Sequence, residues 1–104
     1  MMLTDETIYL VREWGREKGI IGLEGKGTEQ SQLNKLMEEV DELKNAIETN
    51  DKAEKIDAIV DCTVVLILLA DIIGTPLEDC LDSAYNVIKS RTGKIVDGTF
   101  VKDK

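Results

Sequence analysis

The 104-residue sequence has no histidine and a single proline. Without histidine it lacks the commonest general base at neutral pH and the usual ligand of zinc. It has only two cysteines, Cys62 and Cys80, which lie in helical patterns without a pairing signature, so we expect free thiols. A signal-peptide pattern is also missing from the N-terminus, and we therefore expect a cytoplasmic protein.

Long apolar runs and positive charge are scarce as well. The most apolar segment covers the nine residues 62–70, whereas a membrane-spanning helix needs about 20. Lysine and arginine number 13 against 21 aspartates and glutamates, which gives a net charge of −8. Repulsion of phosphate argues against nucleic acid or a membrane as partner, but not against a small anionic ligand that arrives with its own metal.

Helical periodicity dominates what is present. Apolar residues recur at helical spacing in four segments, with the glycine-rich loop 19–27 between the first two. The third segment is apolar on nearly all faces, which predicts a central helix that also contacts a second subunit. We predict one all-α domain, residues 1–104, with a short extended tail after residue 90; its helices cover about residues 4–18, 28–49, 51–73 and 75–90.

Start and stop signals support these boundaries. Thr28 is a suitable N-cap for the second helix. Asp51, with a glutamate three residues later, resembles the capping box of a third helix. Gly74 fits the position just after that helix, and Thr75-Pro76 predicts a fourth helix with the threonine as cap and the proline as first helical residue.

Two acidic segments carry the chemistry. On a helical wheel, Glu39 and Glu42 flank the apolar stripe of the second helix one turn apart, whereas Glu38 points to solvent. On the third helix Asp57 and Asp61 share a face that continues into apolar residues. Four carboxylates can thus converge between two antiparallel helices. Oxygen ligands without cysteine or histidine suit Mg²⁺, Mn²⁺ or Ca²⁺, and Mg²⁺ favours a phosphorylated substrate.

Structural explanations of these acidic residues are the alternative to a metal site. A glutamate-rich helix face is usually solvated, and Asp57 could simply be a first-turn acid favoured by the helix dipole. Asp61 is harder to explain in this way, because it lies about two turns into the helix and precedes the apolar run.

Candidate substrate contacts lie on three of the predicted helices and just beyond the fourth. An aromatic ring on the first helix could stack on a base, although it equally fits a core or interface position. Polar and basic side chains on the second and fourth helices could donate to phosphate oxygens, although those near the end of the fourth equally complement its dipole. The candidates are Trp14, Gln32, Lys35, Tyr85, Asn86, Lys89, Arg91 and Lys94.

The sequence resembles a known family over nearly its whole length. Residues 35–43 resemble the EExxE helix of the MazG-like nucleoside triphosphate pyrophosphohydrolases, and 57–66 resemble the second half of that motif. Residues 86–94 and 98–102 resemble the C-terminal segment of short, phage-type members. The resemblance implies an all-α NTP pyrophosphatase fold, a homodimer or dimer of dimers, and Mg²⁺-dependent hydrolysis, with Mn²⁺ as an alternative, of a (deoxy)nucleoside triphosphate to monophosphate and pyrophosphate.

The resemblance also assigns roles to residues. In this family the second and third glutamates of EExxE bind metal, and these are Glu39 and Glu42 here. Glu38 matches the first glutamate, so Glu38 or Glu39 would orient or deprotonate the attacking water. Asp61 matches the aspartate that closes the ExxD half of the motif.

One position departs from the family pattern. The ExxD glutamate falls at Ala58, which cannot ligate metal, and Asp57 is the expected substitute. This departure motivates an alternative, a non-catalytic acidic helical dimer that binds a protein partner or senses nucleotides. A third hypothesis is a phosphoribosyl-ATP pyrophosphohydrolase, which shares the fold, although the C-terminal segment favours the MazG-like branch.

Overall fold

A computed structural model describes residues 4–104 and contains four helices and one β-hairpin in that range. The helices are α1 (Thr4–Glu17), α2 (Glu29–Glu48), α3 (Lys52–Ile73) and α4 (Leu77–Ile88), and the strands are β1 (Gly93–Val96) and β2 (Thr99–Lys102). The predicted all-α class with four helices is confirmed. That residues 1–104 form one domain stays a prediction, and its first three residues lie outside the described range.

The helical hairpin of α2 and α3 forms the centre of the fold. Thr28 caps α2 in a reciprocal capping box, in which its side chain accepts from the Ser31 backbone N–H at 3.0 Å and its own N–H donates to the Ser31 hydroxyl at 2.9 Å. Asp51 caps α3 by accepting from the Glu54 N–H at 3.1 Å. Because only three residues separate the two helices, they return antiparallel and pack along their length.

The start of α4 differs from the prediction by one residue. Gly74 ends α3 in the left-handed conformation with a φ of 100°, and the Thr75 N–H donates back to the Ala70 carbonyl at 3.0 Å. Thr75 therefore completes the end of α3 and does not cap the next helix. Pro76 takes the N-cap position instead of the first helical position, and α4 begins at Leu77.

The tail, predicted as a turn with short extended pieces, folds into a paired hairpin. β1 and β2 pair antiparallel with Val96 opposite Thr99, and the two residues between them have positive φ, 51° at Asp97 and 77° at Gly98. This is the geometry of a type I′ turn, for which Asp-Gly is a preferred sequence. All eight strand residues are exposed.

The hydrophobic core is thin and centres on α3. α1 packs closely on α3 at Gly15, where an added Cβ would lie 2.5 Å from the Leu68 side chain. In the described range, no helix is long and apolar enough to cross a membrane. The buried apolar residues are Ile21, Ala46, Ala58, Val65, Ile67 and Leu68.

An ion-pair network, here called the Arg12 cluster (Arg12, Asp71 and Glu78), joins α1, α3 and α4. The Arg12 side chain is only 8% exposed. Its guanidinium donates to both carboxylate oxygens of Glu78, from Nη1 at 3.1 Å and from Nη2 at 2.5 Å. Its Nε lies 3.8 Å from Asp71. The pKa of Glu78 is lowered, first by a hydrogen bond to its own backbone N–H at the start of α4 and then by Arg12.

Candidate functional site

Three carboxylates meet between α2 and α3 and are here called the acidic cluster. Glu39 and Glu42 lie one turn apart on α2, and Asp61 lies on α3. One carboxylate oxygen from each lies within 4.8 Å of the other two. Glu39 is buried, with a relative exposure of 6%, whereas Glu42 and Asp61 are exposed. The cluster therefore has a buried floor and an open rim.

Glu39 is the least satisfied of the three acids. Its Oε1 lies 3.2 Å from the Lys35 ammonium. Its Oε2 is buried and has no hydrogen-bond donor among the described residues. Burial of a carboxylate oxygen without a partner costs free energy, and a bound cation would supply the missing partner. The hard oxygen donors of the cluster fit Mg²⁺ or Mn²⁺.

The charges in the cluster repel one another. The negative charge of Glu39 is the largest cause of the raised pKa of Glu42. The charge of Glu39 thus disfavours a second charge on Glu42, and a cation between the two carboxylates would relieve this repulsion. Burial is the largest cause of the raised pKa of the Cys62 thiol, and the charges of the acidic cluster add to it. Hydrogen bonds to Glu39 and Glu38 raise the pKa of Lys35.

A pocket of about 510 Å³ opens beside the acidic cluster. Its lining combines apolar side chains with two acids, a lysine and one amide, which suits a ligand with a flat apolar part and a charged part. The Ser31 hydroxyl already serves the capping box, whereas the Gln32 amide has no side-chain partner within the described residues. The pocket is lined by Trp14, Ile20, Ser31, Gln32, Lys35, Glu39, Asp61, Val64, Val65 and Leu68.

Six of the residues predicted from sequence come together at this site. Glu39, Glu42 and Asp61 form the cluster, and Trp14, Gln32 and Lys35 line the pocket with two of them. Glu38 lies at the edge, where its exposed carboxylate is 3.3 Å from the Lys35 ammonium.

Asp57 does not join the acidic cluster within residues 4–104. It is exposed, whereas the neighbouring Ala58 is buried with a relative exposure of 2%. Successive helical residues are rotated by about 100°, so the two side chains leave α3 in different directions, and the alanine is the buried one. The position of Asp57 does not support direct ligation beside Asp61, and its metal role stays a prediction.

The predicted contacts near and beyond the end of α4 also lie apart from the pocket. They are exposed, and none lines the pocket in the part of the chain that the structure describes. Tyr85 and Asn86 belong to α4, Lys89 and Arg91 to the turn that follows, and Lys94 to β1.

The sequence did not identify two of the pocket residues, the polar Ser31 on α2 and Ile20 in the loop after α1. Ser31 had a usable signal, because it lies three residues after the cap Thr28 on the first turn of α2. Ile20 had none, because its place depends on the folded loop, in which the Gly27 N–H donates to the Ile20 carbonyl at 2.8 Å.

Comparison with known proteins gives one match. A sequence model of the phosphoribosyl-ATP pyrophosphohydrolase family matches residues 23–86, well over half of the chain and a range that contains the whole acidic cluster. No curated protein and no solved structure matches. The matched family lies within the MazG-like all-α superfamily, so the resemblance identified in the sequence is confirmed at that level.

Proposed function

The chain belongs to the phosphoribosyl-ATP pyrophosphohydrolase family, whose members are pyrophosphohydrolases acting on a nucleotide, and on that premise we propose that it hydrolyses a (deoxy)nucleoside triphosphate. Water adds across the α–β phosphoanhydride, and the products are the nucleoside monophosphate and pyrophosphate. The cleavage needs charge stabilisation more than covalent help from the protein.

The buried Glu39 carboxylate carries this proposal. Its unpaired Oε2 lies at the floor of a cluster of three acids, beside a pocket with an aromatic wall. Glu78, by contrast, has both carboxylate oxygens paired with Arg12. A carboxylate with one buried, unpaired oxygen beside a pocket is the arrangement expected of a functional site.

Glu39, Glu42 and Asp61 would hold the divalent cation, which we propose to be Mg²⁺ with Mn²⁺ as an alternative. When bound, the ion supplies positive charge for the phosphate oxygens and lowers the pKa of water. Glu38, which is exposed, would accept a proton from water or orient the water, since the sequence has no histidine.

The pocket would hold the nucleoside. Trp14 would stack on the base, and the uncommitted amide of Gln32 would donate to it or accept from it. Lys35 would contact the phosphates from the same helix as the metal ligands. These roles place the base near α1 and the phosphates near the α2–α3 seam.

A second copy of the chain would cover exposed apolar surface in a homodimer. The chain exposes 8034 Å², whereas a folded monomer of 11.6 kDa is expected to expose roughly 5,800 Å². The surplus of roughly 2,000 Å² per chain is the size buried in obligate dimers. The outer face of α3, α4 and the hairpin carry the exposed apolar side chains that would be covered: Ile56, Ile59, Val60, Leu81, Tyr85, Ile88, Ile95 and Phe100.

Light scattering at micromolar concentration tests this assembly. We expect the mass of a homodimer or of a dimer of dimers, and a monomer would contradict it. In such an assembly Asn86, Lys89, Arg91 and Lys94 could reach the phosphates of a site to which their own chain does not bring them. We also propose that the protein is cytoplasmic, as the sequence predicts.

Two other candidates have specific support. Phosphoribosyl-ATP is favoured by the family model that matches. A non-catalytic nucleotide or protein binder is favoured by Ala58, which leaves the motif one carboxylate short.

A substrate panel decides among the three candidates. Pyrophosphate release is measured with each NTP, each dNTP and phosphoribosyl-ATP, with Mg²⁺ or Mn²⁺ and with excess chelator. Release from a triphosphate that stops with chelator supports the proposal, and release from phosphoribosyl-ATP alone supports the second candidate. No release from any compound, with folded protein, would contradict catalysis.

A further inference from the structure

Lys35 occupies a special place among the pocket residues. Its ammonium lies 3.2 Å from Glu39 Oε1 and 3.3 Å from Glu38 Oε2, so it bridges two carboxylates of α2. It is the one cationic side chain that lines the pocket within the described residues. Its side chain is 53% exposed, so the flexible stem is free to move.

The charges around Lys35 do not balance. Glu39, Glu42 and Asp61 bring three negative charges within 4.8 Å of one another, and Lys35 brings one positive charge to the buried member. The ammonium satisfies Oε1 of Glu39, while Oε2 has no donor in the described part of the chain. Lys35 therefore neutralises part of the charge that a divalent cation would neutralise.

We propose that Lys35 is the internal counter-ion of the metal-free site, that it competes with the divalent cation for Glu39, and that the cation releases it toward the substrate phosphates. The inference rests on the proposed function for its last step only. Its first two steps concern this chain and a cation alone.

The physical consequence is a pair of effects with opposite signs. Removing the ammonium removes a positive charge next to the cation site, so the cation binds the free protein more tightly. The same change removes a charged contact to phosphate, so a nucleotide binds the metal-loaded protein more weakly. A residue with a merely structural role would weaken both.

The experiment measures Mn²⁺ binding to the full chain by electron paramagnetic resonance, which counts free Mn²⁺, without nucleotide. We expect Lys35→Met and Lys35→Gln to bind Mn²⁺ about three- to tenfold more tightly than the wild type. Lys35→Arg keeps the charge and should restore wild-type affinity. Lys44→Met is the matched control, because it removes the same charge from α2 at a lysine without an ion pair in the described range.

A second titration uses a non-hydrolysable triphosphate with saturating Mn²⁺. We expect Lys35→Met to weaken nucleotide binding about tenfold or more. Circular dichroism before each titration checks the fold, and the two neutral variants provide independent readings.

Unchanged or weaker Mn²⁺ binding by both neutral variants would overturn the counter-ion role, even if the wild type hydrolyses nucleotides. Tighter Mn²⁺ binding with unchanged nucleotide binding would overturn the release step. A wild type that binds no Mn²⁺ would overturn this inference together with the proposed metal site, whereas hydrolysis with normal Mn²⁺ binding leaves the proposed function intact.

Discussion

The Arg12 cluster and the acidic cluster both depend on α3, but they balance charge in opposite ways. In the Arg12 cluster a guanidinium with 8% exposure is held by both oxygens of Glu78 and approached by Asp71. In the acidic cluster the buried group is the carboxylate of Glu39, and within the described residues its one cationic partner is an exposed lysine. The buried charge of the first cluster is thus held by two opposite charges, whereas the second sets three acids against one lysine.

We expect this difference to distinguish structural acids from the proposed functional ones in a chain with 21 aspartates and glutamates. A paired charge at a junction of helices fixes their geometry and adds to stability only while both partners are present. An unpaired carboxylate oxygen in a buried position lowers the stability of the fold. Such a group is retained where binding of a ligand offsets that loss. The pKa shifts agree, because that of Glu78 is lowered and that of Glu42 is raised.

Asp61→Asn should have the largest effect and should act on catalysis alone. The change keeps the shape of an exposed side chain and removes one of three proposed ligands, so we expect kcat/KM to fall roughly 100-fold or more. The melting temperature without metal should not fall, because a like charge has been removed. Pyrophosphate release and thermal melts on the same preparation measure both.

Asp71→Asn is the matched control on the same helix. It removes a carboxylate from the Arg12 cluster, so it should lower the melting temperature and leave kcat/KM within about threefold. Equal loss of activity in both variants would abolish the distinction between the two clusters.

Arg12→Met should have the next largest effect, on stability. It leaves Glu78 partly buried without its partner, which costs about 2 kcal/mol and lowers the melting temperature by roughly 10 °C. Arg16→Met is the control, because Arg16 pairs with Glu13 and Asp71 while 40% exposed, and exposed pairs contribute below about 1 kcal/mol. An Arg12→Met protein as stable as the control would show that the network contributes little.

The sequence predicted the acidic cluster better than the Arg12 cluster. A wheel over α2 is enough to place Glu39 and Glu42 together, because both lie on one helix with a clear apolar stripe. Arg12 and Glu78 are separated by 66 residues, and no local pattern links them. Their pairing depends on how α1 and α4 pack on α3, and this tertiary packing cannot be derived from a local sequence pattern.

The differences of one residue lie in elements whose ends or faces depend on neighbouring elements. The wheel over α3 placed Asp57 inward because Leu68 shares its face, whereas Asp57 is exposed and the following Ala58 is buried; the metal role of Asp57 stays a prediction. Threonine is a residue type that often caps helices. Thr75 instead belongs to the end of α3, where its N–H donates to Ala70, and Pro76 takes the N-cap position of α4. Asp97-Gly98 is a preferred sequence for this turn, but the strand pairing of the tail was not predicted because no long alternating pattern flanks the turn.

Acidification should change stability with opposite signs at the two clusters. The folded pKa of Glu78 lies below its unfolded value of about 4.3, so its contribution is present above that pH and is lost as pH falls through the folded pKa. Glu78→Gln should therefore melt below the wild type at pH 7, and the gap, below about 1 kcal/mol, should close toward pH 3.

Glu42 gives the opposite sign. Its folded pKa is raised by Glu39, so it opposes folding at pH values above the folded pKa and no longer does so once the pH is below the unfolded pKa. Glu42→Gln should melt above the metal-free wild type at pH 7, and this advantage should vanish near pH 4. Melts of both variants across this range check the pair, and shifts of equal sign would contradict it.

Asp57→Asn should have the smallest effect and tests the one acid whose place the sequence and the structure describe differently. Asp57 is exposed and lies outside the acidic cluster, so its loss should weaken Mn²⁺ binding less than about twofold, through long-range charge alone. Asp61→Asn, one turn along the same helix, should weaken it at least tenfold. A loss as large as that of Asp61→Asn would mean that Asp57 does substitute for a carboxylate at Ala58. Asp57 lies four residues before Asp61, about 40° from it around the helix axis, so its carboxylate would then reach the cation through a change of side-chain rotamer while α3 keeps its place.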